Sequence, residues 1–368
     1  MRTFRAPGRV NLIGEHTDYN DGFVMPAALD FSTWVRLAPL DQRKLQIHSE
    51  NFDEEVEVDL DDPKLAARGH WSDYPVGVAV AMERAGHRLR GARLRIRGDV
   101  PIGSGLSSSA AIEVATACAL TANSGLKIDA RELALLCQRA ENEFVGARVG
   151  IMDQFVSLFG QAQHALLLDC RSLEFKLLPL PDIVRLIICN TMVKHALASS
   201  AYNERREQCE AGVRHLAQFY PNVRALRDVN IEQLEQHREE LPEVIYRRCR
   251  HVITENARVL EAGEALEQHD LGRFGRLMGE SHVSLRDDYE VSSDELDLMV
   301  ELAQEVEGVY GARMTGGGFG GSTVNLVRED KADEFRARVA EGYERVTGLK
   351  PESYVTNAGN GAEEVSQS

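Results

Sequence analysis

The stretch Pro101-Ile-Gly-Ser-Gly-Leu-Ser-Ser-Ser-Ala-Ala111 constrains this chain more than any other. Before it, Arg93-Leu-Arg-Ile-Arg97 alternates basic and apolar residues, which predicts a strand with one buried face. After it, Ala110 to Ala122 is rich in Ala, Val and Leu and free of Gly and Pro, which predicts a buried helix. Gly103 and Gly105 let the backbone approach a ligand closely. Ser107, Ser108 and Ser109 add hydroxyls where the first unpaired helix N–H groups point outward. Strand, loop and helix N-terminus together make an anion site, and a phosphate chain suits it. The serines alone would also fit an ordinary capped helix. A Walker A loop is excluded, because none of the seven lysines follows a glycine. A protein kinase is excluded too, since neither His-Arg-Asp nor Asp-Phe-Gly occurs.

Composition bounds what surrounds this loop. A length of 368 residues predicts two domains, and Pro179 to Asp182 is the natural boundary, giving 1–180 and 181–368. The net charge, 42 − 58 = −16, argues against nucleic acid or an anionic membrane as partner. The six cysteines are scattered without a Cys-x-x-Cys pair, as expected of reduced residues in a cytoplasmic protein. Neither a signal peptide nor an 18-residue apolar run is present, which predicts a soluble protein.

Polar residues also concentrate between Ala6 and Phe23, where Arg9, Asn11, Glu15, His16, Asp18 and Tyr19 crowd a loop closed by the turn signal Asn20-Asp-Gly22. In extended backbone His16 and Asp18 would share one face, with Glu15 opposite. The spacing matches no zinc pattern, and the density suits a polyhydroxylated ligand, although a surface His–acid pair also accounts for His16 alone. Asp129-Ala-Arg-Glu132 predicts a capping box and a helix carrying Leu133, Leu136, Cys137 and Ala140, then Glu141. Asp153, within Val149-Gly-Ile-Met-Asp-Gln-Phe155, is a candidate buried carboxylate that must be paired, protonated or used, unless it caps the next helix. His164–Asp169 and Arg185–Cys189 read as strands. A mostly helical half follows, with Tyr202 in the first turn of a helix opened by Ser199 to Arg206 and a second capping box at Ser292-Ser-Asp-Glu295. Met314-Thr-Gly-Gly-Gly-Phe-Gly-Gly-Ser-Thr323 formally matches G-x-G-x-x-G, but a strand follows where a dinucleotide site needs a helix. Its five glycines in six residues predict a loop that folds tightly under the nucleotide. The last dozen residues are expected to fray.

Taken together, these stretches resemble the galactokinases of the GHMP small-molecule kinase superfamily. Three motifs match in the family's order: Gly8 to Asn20, Pro101 to Ala111 and Met314 to Gly321. Gly150 to Phe155, Ser199 to Arg206 and Ser281 to Tyr289 are also similar, so the likeness spans nearly the whole chain. The resemblance implies an α+β, two-domain fold, with an N-terminal domain like domain 2 of ribosomal protein S5 and a C-terminal α/β, ferredoxin-like domain. It implies an ATP-dependent sugar kinase forming galactose 1-phosphate from D-galactose, acting as a monomer or weak homodimer. Asp153 would be the catalytic carboxylate with Arg9 beside it, and Glu15, His16, Asp18, Gly150 and Tyr202 would line the sugar. Gly103, Ser104, Gly105, Leu106, Ser107, Ser108 and Ser109 would hold ATP, with Ser109 and Glu141 as Mg²⁺ ligands. The alternatives are a kinase for N-acetylgalactosamine or L-arabinose, or a non-catalytic galactose and ATP sensor; the intact Leu106 to Ala111 argues against the sensor. Two departures from the family stand out. The lead-in before the first motif is short, implying loss of part of an N-terminal strand or helix, and Ser293-Asp294 replaces a frequent Cys-Pro.

Overall fold

The structure, a computed structural model, describes residues 1–194 and 198–365. The chain divides into two compact units that are not contiguous halves: Met1–Arg9, Ala28–Ala162 and Gly359–Ser368 form one, Val10–Ala27 and Gln163–Ala358 the other. This division does not fall at the expected 180/181 boundary. The strands His164–Asp169 and Phe175–Pro179 belong to the second unit because they build a small sheet on Phe23–Val24. A pattern read along the chain could not show that exchange, since it depends on non-local pairing.

The first unit is built on a six-stranded sheet. Its strand order is Glu363–Val365, Arg2–Asn11, Pro26–Pro39, Ala92–Gly98, Lys44–Ser49 and Glu54–Asp59. The 28–60 region thus forms strands as its alternation predicts, and Ala92–Gly98 buries every second residue. One sheet face packs Val35, Leu37, Ile47, Leu94 and Ile96 against the helices Asp73–Arg84, Ser108–Ser124 and Ala130–Arg139. The predicted buried helix after the Gly/Ser loop is Ser108–Ser124, buried through Val114, Ala115 and Leu120. Asp129 caps Ala130–Arg139 by accepting from the Arg131 N–H, but Glu132 turns away to His87 at 3.1 Å, so no capping box closes. The chain opens in strand Arg2–Asn11, and the tail does not fray through 365. Thr3, Phe4 and Arg5 pair with Val365, Glu364 and Glu363, and Arg2 holds both oxygens of Glu364 at 2.7 Å. The expected fraying of 366–368 lies outside the described residues.

The second unit carries a four-stranded sheet in the order Val309–Thr315, Gly320–Arg328, Val184–Lys194, Glu352–Thr356, with every printed pairing antiparallel. In chain order this is strand, helices, hairpin, helix Ala332–Thr347, strand, the ferredoxin-like plan. Met299, Val300, Phe335 and Tyr343 cover one face. Helices Ala198–Leu216, Glu243–Glu267 and Leu271–Asp287 match the predicted helical half. No second capping box closes: Ser293, not Ser292, caps Asp294–Gln304, accepting from Leu296 N–H at 3.4 Å, while Ser292 donates to Asp297. Ser293 therefore serves the helix start at the position where the family departs. Among the described residues no helix is long and apolar enough to cross a membrane. All six cysteines are unpaired.

Candidate active site

In the first unit, Arg9 is the hub. It is 7% exposed, and its Nε and Nη2 each reach one oxygen of Asp153 at 2.7 Å in a two-pronged ion pair. Its Nη1 donates to the Gly105 carbonyl at 2.6 Å and its backbone N–H to the Leu106 carbonyl at 3.0 Å. Strand Arg2–Asn11 thus lies against the phosphate loop, and Gly8 permits it: a Cβ there would stand 2.5 Å from the Leu106 oxygen. Asp153 sits in the first turn of helix Met152–Phe159, where a negative charge is favoured. A third hydrogen bond comes to it from the Ser107 hydroxyl. Ser107 itself adopts a left-handed φ of 58°, a conformation costing about 1–3 kcal/mol outside glycine. That bond to Asp153 is what the strained backbone delivers.

The rest of the loop is arranged around this pair. Gly103 and Gly105 have φ of 74° and 79° and are exposed, while Leu106 is buried as an anchor. Ser104 is buried and donates to the Pro101 carbonyl at 2.7 Å, so it shapes the turn from inside. Ser108 opens the helix, and Ser109 hydrogen-bonds Glu141. Glu141 lies in a π-helical turn, Ala140–Val145, that interrupts the predicted regular helix; such turns gather at functional sites. Asn142 in the same turn grips Val149 by both amide groups, donating to its carbonyl at 3.2 Å and accepting from its N–H at 2.8 Å. That clamp sets the buried Gly150 beside it.

Charge in this cluster is unbalanced. Glu113, fully buried on helix Ser108–Ser124, and Glu141 both accept from Gln154 Nε2, at 3.0 and 2.7 Å. Burial, then the charge of Asp153, pushes the Glu141 carboxyl up to about 7. Burial and the neighbouring Glu141 push Glu113 well above the usual carboxylate range. Three carboxyl groups thus share one arginine. A hard dication held by a carboxylate and a hydroxyl would relieve the excess, and Glu141 with Ser109 is a donor set that suits Mg²⁺.

In the second unit, the loop after Arg9 is a turn, not extended chain. His16 has φ of 64° and Asp18–Asn20 is a single 3₁₀ turn, so the alternation expected for Glu15, His16 and Asp18 does not hold. The turn signal is met, with Asp21 left-handed and the Gly22 N–H donating to the Thr17 carbonyl at 2.8 Å. Glu15 is 2% exposed and held by protein on both oxygens. One oxygen accepts from Asn11 at 2.6 Å and pairs with Arg313 at 2.7 Å; the other accepts from Thr315 at 3.1 Å and the Gly316 N–H at 2.8 Å. Through these contacts Glu15 ties the first motif to the third. The third motif is a hairpin, Met314 opposite Thr323. Gly318 lets it close, since a Cβ there would meet the Val291 carbonyl at 2.2 Å.

His16 Nδ1 lies 2.8 Å from the Tyr19 hydroxyl, which lies 2.8 Å from that of Tyr289. The His16 ring packs on Tyr289 at 4.7 Å and Tyr202 at 5.5 Å. Burial, then the nearby His251 and Arg205, lowers His16 to about 3, so its imidazole is neutral at pH 7. Asp18 is partly exposed. One helix, Glu243–Glu267, grips this loop from behind. His251 Nε2 reaches the Glu15 carbonyl at 3.1 Å, Glu255 accepts from the Gly14 N–H at 2.9 Å, and Asn256 accepts from the Phe23 N–H at 2.8 Å. Burial would raise Glu255, but Arg258, His251 and Arg313 outweigh it and hold it at about 2.

Sequence reasoning missed Glu113, Gln154, Arg313, His251 and Glu255. The available signal was the one used for Asp153, a lone polar residue among apolar neighbours, such as Glu113 in an Ala/Val helix and Arg313 before Met314. Missed too was Asn142, which no local pattern marks.

The family comparisons agree with this geometry. The galactokinase galactose-binding signature matches residues 2–39, the GHMP kinases N terminal domain 73–161, and the GHMP kinases C terminal domain 263–345. The chain is 50% identical to a galactokinase of Roseiflexus sp. (strain RS-1) over 97% of this chain and 91% of the relative. It is 48% identical to a galactokinase of Actinobacillus succinogenes over 97% of this chain and 93% of that one. Lactococcus lactis galactokinase, solved with galactose, superposes with a TM-score of 0.95 at 37% identity, covering 99% and 95% of the two chains. A mevalonate kinase shares the fold at a TM-score of 0.67 and 17% identity, covering 97% and 99%. The chain belongs to the galactokinase family of the GHMP kinases and has their two-domain α+β fold.

Proposed function

We propose that this chain is a galactokinase that transfers the γ-phosphate of ATP to the anomeric hydroxyl of D-galactose, giving galactose 1-phosphate and ADP. The observation that carries the sugar assignment is the full-length likeness to a galactokinase solved with galactose. The Arg9–Asp153–Ser107 arrangement supports the roles of the residues.

Phosphoryl transfer needs positioning and charge neutralisation more than covalent help. The exposed loop glycines and the N-terminus of helix Ser108–Ser124 offer backbone N–H groups to the ATP phosphates. Arg9 holds both Asp153 oxygens, so the carboxylate meets the sugar hydroxyl at a set angle and orients it or takes its proton. Ser109 and Glu141 would hold Mg²⁺, which when bound offsets the charge of the phosphates. Glu15, His16, Asp18, Gly150 and Tyr202 line the sugar, and Glu15 also ties that loop to Thr315 and Gly316. A carboxylate such as Asp18 paired with the C4 hydroxyl is left unpaired by glucose, which discriminates strongly. The six unpaired cysteines suit a reducing cytoplasm.

ADP release measured against free sugars tests this reading. D-galactose is expected to be the best substrate by kcat/KM and glucose very poor. Glucose at a comparable kcat/KM, or N-acetylgalactosamine or L-arabinose as the better substrate, would overturn it.

A further inference from the structure

The second unit contains a side-chain cluster that the kinase chemistry does not use. His215, in the last turn of helix Ala198–Leu216, meets His237 and Glu240, which flank the 3₁₀ turn Arg238–Glu240. One imidazole nitrogen from each histidine and a carboxylate oxygen all lie within 4.8 Å of one another. Glu240 bridges the pair: one oxygen is 3.1 Å from His237 Nδ1, the other 3.6 Å from His215 Nε2.

We propose that His215, His237 and Glu240 form a binding site for a borderline transition-metal dication, Zn²⁺ in the first place. A tetrahedral Zn²⁺ with bonds of about 2.0–2.2 Å needs donors roughly 3.3–3.5 Å apart, close to the two spacings present. His215 Nε2 supplies an independent sign. It is buried and has no hydrogen-bond partner, because 3.6 Å to Glu240 is too long. A metal ion would satisfy that lone nitrogen without moving the ring far. The rings are also held in place. Phe219 stacks on His237 at 3.9 Å, Tyr220 meets it edge-on at 5.6 Å, and His215 packs on Phe219 at 5.4 Å. Two imidazoles and one carboxylate select zinc, cobalt or nickel over Mg²⁺, so the site is chemically distinct from that of Glu141 and Ser109. Three protein donors leave a fourth position for water, and the ion clips the end of helix Ala198–Leu216 to the turn at 238–240.

The test uses the full chain, freed of metal with a chelator, in the absence of ATP. Calorimetric titration with Zn²⁺ should show one ion per chain and a raised unfolding temperature. Co²⁺ should give the visible absorption of a tetrahedral site. His215→Gln and Glu240→Gln should each weaken binding at least tenfold and abolish the thermal shift, with galactose phosphorylation unchanged. Glu240 is half exposed, so its variant leaves the packing intact. No saturable binding below millimolar Zn²⁺, or binding that survives in both variants, would overturn the proposal.

Discussion

The two units handle buried charge in opposite ways. Around Asp153, which Arg9 holds, burial and the Asp153 charge drive Glu141 up, and burial and Glu141 drive Glu113 up. Around Glu15, acids face arginines: Glu15 faces Arg313 and Glu255 faces Arg258, while burial still raises Glu15 and His16 is neutral. The first cluster is short of positive charge, as a place that receives a metal and phosphates should be. The second is more closely paired, with Glu15 and Glu255 each against an arginine. Function in the first depends on what arrives; in the second it depends on what is already tied down.

The sharpest way to break this contrast is to unmatch the closely paired side. Glu15→Gln leaves the fully buried Arg313 without its counter-charge, and breaking a buried pair costs about 3–5 kcal/mol. Denaturant unfolding should show a loss of that size; a change within experimental error would mean that Glu15 does not hold the loop. A smaller effect is expected from Asp18→Ala, at the residue proposed to meet the sugar. Galactose KM should rise by the equivalent of about 1–3 kcal/mol, with ATP KM little moved and the gap to glucose narrowed. Equal weakening of ATP would place Asp18 in the frame instead.

The mildest change concerns the side short of positive charge. Glu141→Ala should raise the Mg²⁺ needed for half-maximal rate, with galactose KM unaltered. In the unmodified protein the Mg²⁺ requirement should also grow as pH falls below about 7, because a proton then competes for the Glu141 carboxylate. That dependence should flatten in the variant, and a requirement independent of both pH and Glu141 would remove it from the metal site.

How far the sequence revealed this depends on the range of each interaction. The strand–loop–helix around Gly103 to Ser109, the strand His164–Asp169 and the strand after the glycine loop Met314 to Thr323 were legible because their signals are local: alternation, glycine runs and caps. Asp153 stood out because an acid in an apolar run needs a reason. The partners that give these residues meaning were not legible. Arg9 meets Asp153 across 144 positions and Glu15 meets Thr315 across 300. The exchange of 10–27 between units and the docking of Glu363–Val365 on Arg2–Asn11 are likewise non-local. Glu132 and Ser292 show the converse error, in which a correct local rule lost to a competing tertiary partner, His87 and Asp297.

Asp153, held by Arg9 and Ser107, is the group proposed to meet the sugar hydroxyl. The direct measurement is kcat for Asp153→Asn with D-galactose and MgATP, beside nucleotide binding and unfolding temperature for the same variant. We expect turnover to fall about 10²–10⁴-fold with fold and nucleotide binding retained. A kcat within a few-fold of the unmodified protein would contradict the central role given to Asp153.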